Sequence, residues 1–180
     1  LRALKTDFPQ VEKAVVSINR QSFVIDVNGN RSRRFREEGN MTFTDADWFD
    51  IFSYTWLEGN PLLLSQPGNV VLTQKIATKY FGTERPTGKM ISIAGKRFKV
   101  IGLIADPANT DMKGEIYLSI SSFAGLNPAI GKDYFTSWGY SMSTHDAFVL
   151  LKSANQKTDV EKTLASLIDK NMGKDMSKWF

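Results

Sequence analysis

The feature that most constrains the fold is a long stretch of strand-type sequence that ends in a tight-turn signal. From Val11 to Val27 the chain is rich in β-branched and aromatic residues, and its last residues alternate cleanly between two faces. Asn28-Gly29 follows directly, and both residue types tolerate the positive φ angles of a two-residue turn. The sequence therefore predicts a β-hairpin with a return strand that runs from Arg31 into Met41 and Phe43.

The rest of the chain predicts alternating short strands and helices. A second hairpin is expected around Ala94-Gly95, and a further strand at Ala147–Lys152. Helices are expected at Asp45–Phe52 behind a Thr44 cap, and from the capping box Thr158–Glu161 onwards. This mixture predicts an α+β fold.

One more helix is predicted after the apolar stretch Val70–Leu72, with Thr73 as its cap and Gly82 as its stop. Apolar residues recur at helical spacing on its inner side, whereas its lysines point outward. The expected inner residues are Ile76, Ala77, Tyr80 and Phe81, and the expected outward residues are Lys75 and Lys79.

Composition excludes several classes of site. The 180 residues include no Cys, which excludes a disulfide framework, a Cys nucleophile and thiolate zinc sites. His145 is the single histidine, so one chain cannot supply several histidines to a metal. The net charge of +4 is mild and does not by itself indicate nucleic acid. The chain starts at Leu1 rather than Met and contains no apolar run of about 18 residues, so we expect a soluble segment of a longer protein.

Two motifs resemble catalytic or nucleotide-binding signatures, and neither fits. Gly88-Lys89 lacks the first glycine of a phosphate-binding loop, is followed by Met90 instead of Ser or Thr, and comes after a predicted helix rather than a strand. His145-Asp146 lies near Ser143, yet no nucleophile-elbow motif accompanies it. We therefore predict no catalytic residues, no cofactor and no metal.

Two further clusters, one acidic and one aromatic, have an ordinary structural explanation. The acidic residues Asp45, Asp47 and Asp50 lack the spacing of a calcium loop, and favourable charge at a helix start explains two of them. The aromatic residues of the same stretch are predicted to belong to the core rather than to a ligand cage. They are Trp48, Phe49, Phe52 and Trp56.

The remaining candidate is a cluster of four arginines within six residues, Arg31, Arg33, Arg34 and Arg36. As a partner surface it would bind phosphates, acidic lipid or a protein. As an ordinary solvated strand it would be balanced by Glu37 and Glu38. The sequence leaves both interpretations open.

Three stretches in order carry a family resemblance. They are residues 47–52 followed by 57–61, residues 69–73 followed by Ala77 and 79–82, and residues 86–91 running into 98–103. Their order and spacing resemble the extracytoplasmic domain of MacB/FtsX-like ABC-transporter permeases, over roughly residues 5 to 170.

The resemblance implies a fold and a division of the chain. The family fold is a porter-like α/β subdomain with an inserted β-rich, Sabre-like subdomain. On this sequence, residues 1–65 and 146–180 would form the porter-like part, and residues 66–145 the insertion.

The resemblance also implies a function. The chain would be a non-catalytic periplasmic domain, at the outer face of the bacterial inner membrane, that couples cytoplasmic ATP hydrolysis to transport or partner action. Its partners would be an ATP-binding subunit or domain, a second permease chain and periplasmic or outer-membrane proteins, with no nucleic acid. Two alternatives stay open: a ligand-sensing receptor ectodomain, with a pocket expected near Trp138 and Tyr140, and, more weakly, a hydrolase that uses His145.

Overall fold

The computed structural model describes residues 6–27, 33–107, 114–127, 129 and 143–173. Within them lie eight strands, which are β1 (Val11–Val27), β2 (Arg34–Thr44), β3 (Trp56–Gly59), β4 (Asn69–Thr73), β5 (Met90–Ile93), β6 (Lys96–Ile104), β7 (Ile116–Ser119) and β8 (His145–Leu151). The α-helices of the described residues are α1 (Asp47–Ile51), α2 (Gln74–Phe81), α3 (Phe123–Leu126) and α4 (Lys157–Met172). Short 3₁₀ turns cover Pro61–Ser65, Ile120–Ser122 and Ala154–Gln156.

All eight strands belong to one sheet, and six of them form a closed circuit. The order β2-β7-β4-β6-β5-β1 is completed by pairing of β1 with β2, while β8 extends from β1 and β3 from β6. Closure matters because it leaves these six strands with few free backbone edges. We use the name closed sheet for these six strands together with α2, the helix that packs against them.

The long strand β1 makes this closure possible because it serves two sets of partners. Along one edge it pairs antiparallel with β2, from Ile18 to Asp26. Along the other it pairs with β8 up to Ile18, and with β5 from Ile25 to Val27. Register shifts between Ile18 and Phe23 mark where the strand bends from one set to the other.

The interior of the closed sheet is the main hydrophobic core. It is built from the inward residues of its strands together with the predicted inner face of α2, all of which are buried. Ile76, Ala77, Tyr80 and Phe81 are at most 6% exposed, as the helical spacing predicts. Gly82 ends the helix with φ of 64°, a conformation that glycine adopts without steric cost.

Most strand predictions are confirmed. β1 spans the predicted Val11–Val27, and the second hairpin turns at Ala94 and Gly95, with φ of 47° and 78°. This pair of positive φ angles is typical of a type I′ turn. β1 and β2 form the first predicted hairpin, whose turn at Asn28-Gly29 lies outside the described residues. The α+β fold class is confirmed as well.

Two predicted helix caps are wrong. Thr44 is the last residue of β2, and its hydroxyl donates to the Val16 carbonyl across the hairpin at 3.2 Å. Thr158 lies inside α4, because a 3₁₀ turn brings the helix start back to Lys157. Thr73 does occupy the cap position of α2, but its side chain makes no capping hydrogen bond.

The C-terminal helix α4 is far less covered than α2. Val160 is its one buried residue, and Leu164, which is four residues later on the same side of the helix, is 37% exposed. None of the helices within the described residues is long and apolar enough to span a membrane.

Candidate functional site

The predicted arginine cluster falls on the outer side of the first hairpin. Arg31 lies outside the described residues, and Arg33 is half-buried just before β2 begins. Arg34 and Arg36 are exposed, because residues alternate along β2 and the intervening Phe35 faces the core.

Each of the two outward arginines of β2 has a carboxylate partner. Arg34 donates to both oxygens of Asp26 on the neighbouring strand, at 2.6 and 3.3 Å, and this contact raises the pKa of its guanidinium. Arg36 pairs with Glu38 on its own strand at 2.7 Å. Of the two acids that the solvated-strand interpretation names, Glu38 pairs with Arg36, whereas Glu37 is buried on the opposite face of β2.

The structure adds cations that the sequence analysis did not single out. Cross-strand register forms a row over four strands: Arg34 opposes Asp26, Asp26 opposes Ser92, and Ser92 opposes Arg97. Lys99 follows two residues after Arg97, on the same side of β6, because Phe98 between them is buried. We call Arg34, Arg36, Arg97 and Lys99, together with Lys96 at the hairpin turn, the basic face.

A signal for the added cations does exist in the sequence. Lys96-Arg97-Phe98-Lys99 places one apolar residue between cations at strand spacing, which predicts an outward basic edge for that strand. Their neighbourhood with Arg34 and Arg36 depends on the closure of the sheet through β1. Strand spacing within one segment carries no information on that pairing.

Glu37 forms the centre of a polar network beneath α2. The carboxylate is 3% exposed and accepts from Lys79 Nζ at 2.6 Å and from Tyr80 Oη at 2.8 Å. Burial and this hydrogen bond raise the pKa of Tyr80, so the phenol stays protonated. The network therefore fixes α2 against β2, and the outward Lys79 of the sequence prediction uses its charged end for this purpose.

Asn40 links Glu37 to a second carboxylate at the start of β7. Its side-chain nitrogen donates to Glu37 at 2.9 Å and to Glu115 at 3.0 Å. Glu115 also pairs with Lys75 of α2. Burial acts to raise the pKa of Glu115, but the bonds from Lys75 and Asn40 outweigh it, and the net shift is downward. We call Glu37, Asn40, Lys75, Lys79, Tyr80 and Glu115 the carboxylate network.

The predicted core aromatics form one cluster on the other side of the sheet. Trp48 is 1% and Phe49 6% exposed, and the rings of Trp48 and Phe52 lie 4.4 Å apart. The cluster also contains Tyr54, Trp56, Tyr117 and Phe148. The prediction that these aromatics are core residues is confirmed.

Three side chains of this cluster, Trp48, Tyr54 and Tyr117, are joined by a chain of hydrogen bonds. Trp48 Nε1 donates to Tyr54 Oη at 3.2 Å, and Tyr117 Oη donates to the Gly114 carbonyl at 2.8 Å. Because each phenol has one proton, Tyr54 must be the donor in its 2.9 Å contact with Tyr117. The polar tips of Trp48, Tyr54 and Tyr117 are thus satisfied within the protein, as expected of a core and not of a ligand cage.

Two glycines let β3 approach β6 closely. Gly59 opposes Gly102, and a Cβ at Gly59 would lie 2.1 Å from the Ile101 carbonyl oxygen. A Cβ at Gly102 would lie 2.3 Å from the ring of Trp56. No side chain larger than hydrogen fits at either position without a shift of the backbone or of the aromatic ring.

The residues of the rejected motifs have ordinary structural surroundings. Burial lowers the pKa of His145 despite the nearby charge of Asp146, whose carboxylate accepts from Asn19 at 2.7 Å. Ser143 is exposed. Lys89 is bound to Glu84 and lies 5.1 Å from the centre of the Phe81 ring.

The acidic cluster near α1 is likewise dispersed among protein partners. Asp45 accepts from the Asp47 backbone N–H at 3.0 Å, and Asp50 pairs with Lys13 of β1. Within the part of the chain that the structure describes, no three acidic or histidine side chains are grouped to hold a metal. Trp138 and Tyr140, where a receptor pocket was expected, lie outside that part.

Comparison with known proteins gives one family and several similar structures. A family model described as the MacB-like periplasmic core domain matches residues 1–167. No significant match is found among curated proteins.

The similar structures cover nearly the whole chain. A domain of a permease protein from Porphyromonas gingivalis has a TM-score of 0.75 at 16% identity, covering 97% of this chain and 76% of that one. The periplasmic region of MacB from Actinobacillus actinomycetemcomitans has 0.69 at 20%, covering 97% and 73%. The extracellular domain of the ABC-type transporter YknZ from Gram-positive bacteria has 0.68 at 20%, covering 98% and 83%. These likenesses show that the fold is shared.

Proposed function

The chain belongs to the MacB-like periplasmic core domain family, and from this premise we propose that it is the extracytoplasmic domain of an ABC-transporter permease. Its role is to couple ATP hydrolysis in the cytoplasm to transport or partner action outside the membrane. The observation that carries the proposal is the family match over residues 1–167. Two of the similar structures, the permease domain from Porphyromonas gingivalis and the extracellular domain of the transporter YknZ, agree with it.

Coupling of this kind requires a body that moves without deforming. The closed sheet supports such a role because six strands are paired in a circuit around a buried core. The carboxylate network ties α2 to β2 and β7, and the glycine pair draws β3 onto β6. A close-packed protein interior has low compressibility, so a displacement at one end of such a body is transmitted to the other.

The start of β1 and the end of β8 lie side by side. Val11 at the start of β1 pairs with Leu151 at the end of β8. The pairing continues outward, since Lys152 donates its backbone N–H to the Gln10 carbonyl at 3.0 Å and its Nζ to the Pro9 carbonyl at 2.7 Å. We propose that the chain is attached to the membrane on this side, so that a displacement of the membrane part acts at one end of the body.

The proposal extends to partners and location. The domain lies at the periplasmic face of the bacterial inner membrane and works with an ATP-binding subunit or domain. A second permease chain and periplasmic or outer-membrane proteins complete the assembly. The domain itself is non-catalytic and uses neither cofactor nor metal. We also propose the division into a porter-like part (1–65 and 146–180) and a β-rich insertion (66–145).

Spin-label distances in the full-length permease test this proposal, and the absence of Cys from the chain allows clean labelling within it. One label pair, at Thr78→Cys on α2 and Lys96→Cys on β6, lies within the closed sheet at exposed positions. A second pair joins Lys96→Cys to the cytoplasmic ATP-binding partner. With ATP, we expect the second distance to change and the first to stay constant.

Two outcomes would contradict coupling by a rigid domain. In one, neither distance responds to ATP although the ATPase is active, which would favour a receptor ectodomain. In the other, the distance within the closed sheet changes by as much as the distance to the partner. As a control, calorimetry of the isolated 180-residue chain with ATP should show no binding, and tight binding would overturn the non-catalytic assignment.

A further inference from the structure

We propose that the basic face binds an acidic segment of a partner protein. The face crosses four strands in the order β2, β1, β5 and β6, and closure of the sheet brings its two groups of cations together. Arg34 and Arg97 lie in one cross-strand row, separated by Asp26 and Ser92. The pairs Arg36–Val24 and Lys99–Met90 are the corresponding next positions.

The charge on this face is unevenly satisfied. Arg34 and Arg36 are held by Asp26 and Glu38, at 2.6 and 2.7 Å. Lys96, Arg97 and Lys99 are exposed, and none of them forms an ion pair with a carboxylate among the described residues. Carboxylates of a partner could therefore pair with these cations without breaking an ion pair inside the domain. This favours the β6 side of the face as the point of contact.

Apolar surface lies between the cations. Val24 is 42% exposed on the outer side of β1, and Met90 is half-buried on β5. A centre with aliphatic and methionine side chains and a charged rim is typical of protein–protein contact. A surface selected for phosphate alone has no use for the exposed Val24, so we favour a protein segment that combines acidic and apolar residues.

The position of the face also argues against lipid headgroups, and this choice of partner rests on the proposed function. In the proposed function, the membrane lies on the side of Val11 and Leu151, where β1 begins beside the end of β8. The basic row crosses β1 at Asp26, about 50 Å further along the strand at roughly 3.3 Å per residue. Even half this length exceeds two Debye lengths of about 8–10 Å, so a membrane surface charge would be screened there.

The test measures binding of the 180-residue chain to a fluorescein-labelled peptide that carries six glutamates around two leucines. We expect binding that weakens as salt is raised. Arg97→Glu with Lys99→Glu should lower the affinity about tenfold, since two attractive charges become repulsive. The matched control is Lys162→Glu with Lys170→Glu, at exposed positions of α4, which changes the net charge equally and should alter the affinity less than about twofold.

Three results would overturn the proposal. In the first, the variant Arg97→Glu with Lys99→Glu, which we call the hairpin variant, and the α4 control lose affinity equally, which would indicate unspecific attraction to a basic protein. In the second, the hairpin variant binds the peptide as tightly as wild type. In the third, vesicles of phosphatidylglycerol and phosphatidylethanolamine bind the wild-type chain but not the hairpin variant, which would indicate that the ligand is lipid.

A second variant protects the test from misfolding. Arg97→Gln with Lys99→Gln removes the charges without repulsion, and thermal unfolding should match wild type while the affinity still falls. The binding measurement needs neither ATP nor membrane. Its failure leaves the coupling role untouched, and failure of the spin-label test leaves the measured contact with an acidic protein segment intact.

Discussion

The helices α2 and α4 show how two similar sequence patterns lead to different structural roles. Both have apolar residues at helical spacing, and both end at a glycine with positive φ. The inner face of α2 is buried against the closed sheet, whereas α4 buries Val160 alone and leaves Leu164 37% exposed. Periodicity shows which side of a helix is apolar, but the amount of covering structure decides how firmly the helix is held.

The two helices therefore differ in how firmly they are attached to the rest of the domain. The closed sheet, with α2, is the firm body of the domain, and α4 is attached to it by few buried groups. In the proposed coupling role, α4 follows β8 towards the membrane side and is the element that can shift at low cost.

Truncation of a buried aromatic in α2 should be the most damaging change. Phe81 is 2% exposed, and Phe81→Ala should lower the free energy of unfolding by about 3–5 kcal/mol. The matched change in α4 is Leu167→Ala at a half-buried position, where about 1 kcal/mol is expected. Chemical denaturation of both variants measures the difference, and equal losses would show that α4 is held as firmly as α2.

Close packing of β3 against β6 of the closed sheet can be tested at a glycine. Gly59→Ala should lower the free energy of unfolding by about 2–4 kcal/mol, because φ is 92° and the new Cβ would meet the Ile101 carbonyl. Gly82 is the control, since its φ is also positive, at 64°, but nothing lies within 4 Å of an added Cβ. Gly82→Ala should cost only about 1–2 kcal/mol. Equal losses would mean that β3 yields to the added methyl group.

The closed sheet and α4 should also differ in how much their ion pairs contribute to the free energy of unfolding. Glu37→Gln should cost about 1.5–3 kcal/mol, because the buried carboxylate binds both Lys79 and Tyr80. Glu161 of α4 is 61% exposed and lies 3.7 Å from Lys157, so Glu161→Gln should cost about 0.3–0.5 kcal/mol. Thermal unfolding of the two variants ranks them, and the reverse order would refute the role given to the carboxylate network.

The smallest expected effect is on the pH dependence of stability. The folded state lowers the pKa of Glu115, so its stabilising contribution is present above the unfolded pKa and is lost as the pH falls through the folded value. Glu115→Gln should therefore flatten the loss of stability between pH 5 and the acid limit, compared with wild type. Urea unfolding at several pH values gives the slope, and a parallel decline in both proteins would contradict the assignment.

Sequence reasoning was most successful where structure is local. The bounds of β1, the turn at Ala94-Gly95 and the inner face of α2 follow from alternation, turn chemistry and helical spacing. It failed at caps for a physical reason, since the Thr44 hydroxyl finds its partner, Val16, on another strand. Local signals do not include such competing acceptors.

The candidate site was only half predictable for a related reason. The arginines of β2 stand out in the sequence, but their neighbours Arg97 and Lys99 come from about sixty residues further on. The solvated-strand interpretation treats Glu37 as an exposed counter-charge, whereas its side chain is buried and bound to Tyr80. Both outcomes depend on how the sheet closes. That closure is decided by strand pairing between residues that are far apart in the chain.

Native-state hydrogen exchange of the 180-residue chain tests the central contrast most directly. We expect the backbone amides of Ala77–Phe81 in α2 to exchange only through global unfolding, with an exchange free energy equal to that from denaturation. Amides of Leu164–Ile168 in α4 should exchange through a local opening at a clearly lower free energy. Equal exchange free energies in the two helices would contradict it, because the closed sheet and α4 would then form one cooperative unit.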